Sequence, residues 1–242
     1  MAKEALVTGA SRGIGRAIAQ KLAQAGYNLW LTCRNSQQEL FQAQKELQAQ
    51  YGIVCRAVVC DMGDYQSVRR LFDGVRETGR LDALVNNAGI SYIGLLQEME
   101  PRQWQEVMNS NLNSVFYACK FAVPLMLKRQ YGRIVNISSV WGRVGASMEV
   151  AYSASKGGVD SFTKALAKEL APSHISVNAI ACGVIDTQMN ERFDKEERQA
   201  LQEEIPADRF GRPEEVAELT VKVIEAPEYM TGQIISLDGG WS

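Results

Sequence analysis

Three residues between positions 138 and 156 carry side chains that can move a proton: Ser139, Tyr152 and Lys156. Tyr152 and Lys156 are four positions apart at the start of a predicted helix, so the phenol and the ammonium lie on one face. A free tyrosine titrates near pH 10, and an ammonium 4 to 6 Å away supplies about 3 to 4 kcal/mol, most of the shift needed at neutral pH. Ser139, at the end of a predicted strand, reaches the same place if the loop after it folds back over the sheet edge. We therefore expect proton transfer here.

Short apolar strands that alternate with amphipathic helices must position these side chains. The strands are predicted at 5–8, 28–33, 53–61, 82–87, 132–139, 175–181 and 233–240. Parallel neighbours need crossover connections, so the alternation predicts an α/β fold, a doubly wound parallel sheet of about seven strands with helices on both faces (a Rossmann fold). A long helix is expected from Pro101 to Leu127, with a kink or break near Pro124. Because no repeat or linker interrupts the pattern, we expect a single domain over residues 1–242.

A glycine turn joins the first predicted strand to the first helix. Its glycines, Gly9, Gly13 and Gly15, lie in the stretch TGASRGIG. Residues without a side chain let backbone N–H groups and the helix N-terminus approach a pyrophosphate, so this position at the first strand favours a dinucleotide site. The alternative is a tight turn without a ligand.

The end of the second predicted strand indicates which dinucleotide is bound. An NAD site usually places an acidic residue there, whereas this chain has Cys33 followed by Arg34, with Arg12 in the glycine turn as a second cation. A guanidinium binds a 2′-phosphate in a bidentate manner and a carboxylate repels it, so we expect NADP(H) as the cofactor. The alternative is that Arg34 is an ordinary exposed residue after a strand.

Composition and charge argue against several other classes of protein. The net charge is −2 and no basic cluster recurs along a helix face, so we expect no nucleic-acid and no membrane partner. One histidine and five scattered cysteines predict no metal site, and we interpret the cysteines as reduced thiols, with Cys55 and Cys60 facing opposite sides of one strand. There is no basic-then-apolar leader and no apolar run of about eighteen residues, so we expect a cytoplasmic protein.

Several motifs together resemble one family over nearly the whole chain. They are TGASRGIG, NNAG at 86–89, Asn111, ISS at 137–139 and YSASK at 152–156, and they are similar to those of the classical short-chain dehydrogenase/reductase family. Within that family, IPADRFGRPEEVAE and TGQIISLDGGWS resemble the 3-oxoacyl-(acyl-carrier-protein) reductases. The resemblance implies NADPH-dependent reduction of a 3-oxoacyl thioester, linked to acyl carrier protein or to CoA, to the 3-hydroxyacyl thioester.

The resemblance also implies a role for each motif residue. Tyr152 would donate a proton to the carbonyl oxygen, Ser139 would hydrogen-bond that oxygen, and Lys156 would bind the nicotinamide ribose and tune Tyr152. Asn111 would hold a water that links Lys156 to solvent. The implied cofactor-binding residues are Gly9, Ser11, Arg12, Gly13, Ile14, Gly15, Arg34, Asp61, Met62, Asn87, Ala88, Gly89, Tyr152, Lys156, Ile185 and Thr187.

Alternatives stand beside these roles. Ser138 could face the site in place of Ser139, Asn111 could bond only a helix backbone, and Asp61 could cap the next helix. The same fold could reduce another carbonyl, such as a sugar, a steroid or a small ketone, and a more remote alternative is a nucleotide-binding module without turnover.

The remaining expectations concern the substrate side and the partners. The polar segment 186–210 is interpreted as a mobile substrate lid, with a solvated helical insertion as the alternative. The family usually has Pro-Gly where this chain has Cys182 and Gly183, so lid mobility is expected to differ. The family background implies a homotetramer built on the helices that start near Pro101 and Tyr152. Ser173 stands where carrier-protein reductases tend to have a basic residue, which leaves Lys128, Arg129 and Arg133 as candidate contacts for the carrier.

Overall fold

Seven short strands pair into one all-parallel sheet in the computed structural model, which describes residues 2–190 and 194–242. The sheet order is β3-β2-β1-β4-β5-β6-β7. The chain winds outward in one direction from β1 to β3 and in the other from β4 to β7, so the carboxyl ends of β1 and β4 flank a topological switch point. The strands are β1 (Glu4–Val7), β2 (Asn28–Cys33), β3 (Cys55–Val59), β4 (Ala83–Asn86), β5 (Gly132–Ser139), β6 (Ile175–Cys182) and β7 (Ile234–Leu237).

Helices connect successive strands and cover both faces of the sheet. The α-helices are α1 (Gly13–Gln24), α2 (Gln37–Tyr51), α3 (Tyr65–Glu77), α4 (Pro101–Met108), α5 (Ser114–Leu127), α6 (Trp141–Val144), α7 (Val150–Leu170), α8 (Lys195–Glu203) and α9 (Pro213–Glu225). Short 3₁₀ turns lie at Leu96–Glu98, Ala171–Ser173 and Gln188–Asn190. The predicted α/β architecture, with a doubly wound parallel sheet in one domain, is confirmed.

The long helix expected after Pro101 is divided at a different place from the one predicted. A π-helical turn, Asn109–Asn113, separates α4 from α5. Pro124 lies inside α5, and the helix continues to Leu127. The break expected at the proline is therefore absent, while a kink there stays a prediction. Proline removes one N–H donor near the end of a helix, whereas a π turn inserts a residue into the winding and re-aims the side chains beside it.

Two apolar cores lie on opposite faces of the sheet. Ala5 and Val7 of β1 belong to the core under α1, α2 and α9, while Leu6 between them belongs to the core under α3, α5 and α7. This alternation follows from the pleat, since successive side chains of a strand point to opposite faces. Cys55 lies in the first core and Cys60 in the second, as predicted, and all five cysteines are buried free thiols.

The charge-dense segment after β6 contains the polar helix α8. None of the residues of α8 is buried, and its N-cap, Asp194, accepts hydrogen bonds from the N–H groups of Glu196 and Glu197. Buried Ile205 and Phe210 hold the segment to the domain after α8. Positions 191–193 of the predicted lid lie outside the described residues, and closure of the segment as a lid stays a prediction. No helix in the described part of the chain is both long and apolar enough to cross a membrane.

Candidate active site

A cleft of about 490 Å³ runs across the carboxyl ends of the strands, where ligands of open α/β sheets bind. It receives residues from the glycine turn, from the ends of β2, β4 and β5, from the start of α7 and from the loop after β6. Of the predicted site residues, those that line it are Gly9, Ser11, Arg12, Gly13, Ile14, Arg34, Asp61, Met62, Asn87, Ala88, Gly89, Ser139, Tyr152, Lys156, Ile185 and Thr187. Gly15 and Asn111 lie behind this lining, and both have structural partners described below.

The glycine turn has the shape that a phosphate group requires. Gly9 adopts φ +66°, a left-handed conformation that glycine adopts without strain. α1 begins at Gly13, and the side chain of its N-cap, Arg12, accepts no hydrogen bond from the helix. The first-turn N–H groups of this helix therefore have no capping side chain among the described residues, which leaves them able to bind an anion. The residues present fit a dinucleotide pyrophosphate.

Gly15 serves packing within this turn. A Cβ at this position would lie 2.3 Å from the Gly9 carbonyl oxygen and 2.5 Å from Asn87 Nδ2, closer than atoms can approach. α1 can lie against the ends of β1 and β4 only because the side chain is absent. The predicted contribution of Gly15 to the cofactor site is therefore indirect.

Thr8 and Asn87 lock the ends of β1 and β4 together. The Thr8 hydroxyl accepts hydrogen bonds from the backbone N–H groups of Asn87 (2.9 Å) and Ala88 (3.0 Å). Asn87 Nδ2 donates in return to the carbonyl oxygens of Thr8 (2.9 Å) and Gly9 (3.1 Å). Thr8 was not predicted as a site residue, although it opens the glycine motif.

Two arginines line the cleft, Arg12 in the glycine turn and Arg34 at the end of β2. Arg12 is exposed, and Arg34 Nη1 lies 3.3 Å from Glu106 Oε1 in an exposed pair, which contributes about 0 to 1 kcal/mol and leaves the guanidinium available to an anion. Asp61 accepts a hydrogen bond from the Gly63 N–H (2.9 Å) and so closes a local turn. Asp64 caps α3 through the Ser67 N–H (2.7 Å), so the alternative in which Asp61 caps this helix is wrong.

Lys156 is buried, 5% exposed, beside Tyr152. Its ammonium donates to the Ile137 carbonyl oxygen at 2.8 Å and lies 5.6 Å from the centre of the Tyr152 ring. Burial lowers the pKa of Lys156 to about 8, while Cys182 and Asp160 act in the opposite direction. The predicted pairing of phenol and ammonium is present, with the ammonium close enough to act on the phenol electrostatically.

Ser138 and Ser139 differ in their partners. The Ser138 hydroxyl lies 3.4 Å from the Lys156 carbonyl oxygen and also bonds Asp160. Ser139 Oγ accepts a hydrogen bond from the Trp141 N–H at 3.2 Å. Ser139 thus keeps its own proton for a further acceptor, and this arrangement supports Ser139 over Ser138 as the residue that hydrogen-bonds a substrate.

Asn111 lies on the π turn and bonds two other elements. Its Oδ1 accepts from the Ile90 N–H (2.8 Å), and its Nδ2 donates to the Ile90 carbonyl oxygen (2.9 Å) and to Ser155 Oγ (3.0 Å). Ser155 in turn donates to the Tyr152 carbonyl oxygen (2.7 Å). Asn111 therefore fixes the loop after β4 against α7. The alternative, in which Asn111 bonds only a helix backbone, is wrong. Its role in holding a water beside Lys156 stays a prediction.

The comparison with known families decides the assignment. The model of the short chain dehydrogenase family matches residues 3–198.

This chain belongs to the short-chain dehydrogenase/reductase family.

Relatives match it over almost their whole length. An uncharacterized oxidoreductase of Bacillus subtilis, YmfI, is 39% identical over 242 residues, which is 100% of this chain and 99% of the relative. The 3-oxoacyl-(acyl-carrier-protein) reductase FabG of Aquifex aeolicus is 41% identical over 240 residues (98% of this chain, 96% of the relative), and that of Thermotoga maritima is 40% identical over 240 residues (98% and 97%). As a short-chain dehydrogenase/reductase, the protein is an oxidoreductase that acts on CH–OH or C=O groups with a nicotinamide dinucleotide.

The entrance to this cleft contains a hydrogen-bonded pair of side chains that was not predicted from the sequence. Ser91, which lines the cleft, donates a hydrogen bond to Glu149 Oε2 at 2.6 Å. Next to this pair, the Gly94 N–H donates to the Met148 carbonyl oxygen at 2.9 Å. The loop after β4 and the loop before α7 are thus joined at the entrance. No sequence signal marked the pair, because its two residues are 58 positions apart in loops without a motif.

Proposed function

We propose that this protein is an NADPH-dependent reductase that converts a 3-oxoacyl thioester into the 3-hydroxyacyl thioester. The observation that carries the proposal is the similarity, over the full length of both chains, to reductases named for this reaction. The thioester is carried on acyl carrier protein or on CoA, and we place the enzyme in the cytoplasm, where its five buried thiols stay reduced.

The choice of NADPH over NADH rests on the end of β2. The residues there that line the cleft are Cys33, Arg34, Asn35 and Ser36, and none of them carries a carboxylate that would repel a 2′-phosphate. Arg34 and Arg12 supply positive charge at the same end, and a guanidinium pairs with phosphate through two hydrogen bonds. We expect Arg34→Asp to weaken NADPH binding about 30-fold, since one such charged contact contributes about 2 kcal/mol, and to change NADH binding little.

The chain's own residues handle the proton and the oxygen of the substrate. A nicotinamide held in this cleft beside Ile185 and Thr187 would supply the hydride that the carbonyl carbon receives. The Tyr152 phenol donates its proton to the carbonyl oxygen, and Ser139 donates a hydrogen bond to the same oxygen as negative charge develops on it. The Lys156 ammonium stabilises the phenolate that remains on Tyr152. Because Asn111 and Ser155 fix the start of α7, the phenol is held in place before the substrate arrives.

The surroundings of the entrance suit an acyl chain. Large apolar side chains are exposed on the two loops joined by Gly94 and Met148 and on the helix ends beside them. They are Ile93, Leu95, Leu96, Val144, Met148 and Val150. Apolar surface beside a polar reaction centre favours a substrate with a hydrocarbon part.

The candidate contacts for a carrier protein are reduced to two. Arg133 is 7% exposed and donates to the carbonyl oxygens of Gly132 and His174, so its proposed role in docking is wrong. Arg129 and Lys128 are both exposed, and Arg129 lies 3.7 Å from Asp82. If a carrier docks on this side, we expect Lys128→Glu to raise KM for the carrier-bound substrate and to leave KM for the CoA thioester unchanged.

A homotetramer is part of the proposal. α4 and α5 expose Trp104, Phe116 and Leu127, large apolar side chains that a second copy of the chain would cover. Light scattering on the purified protein tests the assembly, and Phe116→Glu should dissociate it.

The experiment that tests the activity is a substrate panel measured with both cofactors. Acetoacetyl thioesters of carrier protein and of CoA are compared with a sugar, a steroid and small ketones, each with NADPH and with NADH. We expect the highest kcat/KM for a thioester with NADPH. No turnover of any thioester would exclude the proposed substrate class, and equal use of NADH would exclude the proposed cofactor.

A further inference from the structure

The last residues of the chain pack on the loop that follows Ser139. The rings of Trp141 and Trp241 lie edge to face, with their centres 4.7 Å apart and an angle of 60° between their planes. The same Trp141 donates its backbone N–H to Ser139 Oγ at 3.2 Å. A single residue thus contacts both the C-terminal tryptophan and the candidate catalytic hydroxyl.

Hydrogen bonds fold the C-terminal residues into a turn that presents Trp241. Asp238 accepts from the Gly240 N–H (3.0 Å), from the Ser242 N–H (3.1 Å) and from the Ser242 hydroxyl (2.7 Å). A further contact links this part of the chain to α6, since Arg143 Nη1 donates to Ser236 Oγ on β7 at 2.5 Å. α6 therefore meets the C-terminal part of the chain at two places, the turn at Trp241 and β7 at Ser236.

α6 lies between α7 and the C-terminal turn, and it contacts both. It is a helix of four residues, none of them buried, and its last residue, Val144, is 62% exposed. On one side Gly142 packs on the backbone of Lys156. On the other side the edge-to-face indoles form an aromatic contact, and aromatic pairs of this geometry contribute beyond the area that they bury.

We propose that Trp241 is a positioning residue for Ser139. By packing on Trp141 it holds that residue's N–H at Ser139 Oγ. A hydroxyl has one proton and two acceptor lone pairs, so an N–H fixed on one lone pair turns the proton away from the loop and toward the position of the substrate oxygen. The inference rests on the proposed function, because it assigns Ser139 the role of donor to the carbonyl oxygen.

The kinetic test is a double-mutant cycle of Trp241→Ala and Ser139→Ala, measured on the best carbonyl substrate. We expect Trp241→Ala to lower kcat about tenfold with little change in KM for NADPH, because a misaligned donor loses part of its effect on the transition state. Trp241→Phe should retain most of the activity. In the Ser139→Ala background the tryptophan change should lower kcat less than twofold, since the group through which it acts is already missing.

A matched control and a spectroscopic measurement separate positioning from general damage. Tyr229→Ala removes a fully exposed aromatic side chain from the same C-terminal part of the chain and should leave kcat unchanged. Coupling between the two indoles should give a circular dichroism couplet that both Trp141→Phe and Trp241→Phe abolish. An unchanged kcat in Trp241→Ala, or the same tenfold loss with and without Ser139, would overturn the proposal.

Failure of the proposed function can be told apart from failure of this inference. If the enzyme reduces another carbonyl and no thioester, the cycle is measured on that carbonyl. If it reduces none, amide hydrogen exchange over residues 139–145 still tests the contact. Faster exchange in Trp241→Ala supports it, and unchanged exchange overturns it whatever the substrate is.

Discussion

The two halves of the cleft are held by different kinds of contact. In the cofactor half, the glycine turn and the ends of β1 and β4 are fixed by backbone geometry and by the bonds between Thr8 and Asn87. In the substrate half, side-chain pairs at partly or fully exposed positions join separate elements. Ser91 in the loop after β4 bonds Glu149 before α7, and Arg143 of α6 bonds Ser236 of β7. The first kind of contact leaves little freedom to the chain. Contacts of the second kind can vary without disturbing the sheet, so we expect substrate specificity to depend on the substrate half.

Tyr152 stands where the two halves meet, and its removal should have the largest effect. Tyr152→Phe deletes one oxygen, so we expect kcat for carbonyl reduction to fall about 10³-fold, within the range of general acid catalysis, while NADPH binding stays within about threefold. Stopped-flow reduction and fluorescence titration of NADPH measure the two quantities. Near-normal turnover in this variant would show that another group supplies the proton.

The rigidity of the cofactor half predicts a stability effect at Gly15. A Cβ added at Gly15 would lie 2.3 Å from the Gly9 carbonyl oxygen. Overpacking against backbone costs about 3 kcal/mol, so we expect Gly15→Ala to lower the free energy of unfolding by this amount. The same substitution should abolish NADPH binding. Denaturant titration gives the free energy of unfolding. Gly74→Ala is the control, because its Cβ meets only the edge of the Trp30 ring at 3.1 Å, and it should change stability by less than about 1 kcal/mol. Normal stability in Gly15→Ala would mean that the turn can open.

The same contrast explains which features could be predicted from sequence. The strands, the glycine turn and the pairing of Tyr152 with Lys156 follow local rules of periodicity and spacing, and the structure places them as predicted. The π turn that carries Asn111 was missed, because a helix with one extra residue in a turn keeps the composition of an α-helix. The pairs Ser91–Glu149 and Trp141–Trp241 were also missed, since each joins residues far apart in the chain that have no periodic pattern.

The junction of the two halves should also set the pH dependence. The pKa of Lys156 is lowered to about 8, so the ammonium is lost as the pH rises through this value, and kcat/KM for reduction should fall above pH about 8. Cys182 and Asp160 face Lys156, and Ser138, Lys164 and Arg143 face Asp160, whose own pKa is raised by burial. The folded state holds the Lys156 proton less tightly than the unfolded chain, so stability should rise between pH about 8 and about 10.5.

Asp160→Asn tests the electrostatic part of this account. Its carboxylate favours the Lys156 ammonium, so the substitution should move the basic limb of the pH profile to lower pH while leaving the plateau of kcat similar. Glu169→Gln removes an exposed carboxylate from the same helix and should not move the limb. If the basic limb stays at the same pH in Asp160→Asn, the group whose titration causes it is Tyr152 or the substrate.

The smallest effect is expected where the substrate half is most open. Glu149→Gln keeps the size of the side chain but weakens the bond from Ser91, a half-exposed contact that contributes about 0.7 kcal/mol. We expect KM for the carbonyl substrate to rise about threefold with kcat and NADPH binding unchanged, because the loops at the entrance lose one of their two links while the proton donor keeps its support from Asn111. Ser91→Ala should give the same rise, and the double variant should give no further rise. A large loss of kcat in Glu149→Gln would mean that the entrance and the proton donor move together, and the two halves of the cleft would then be a single mechanical unit.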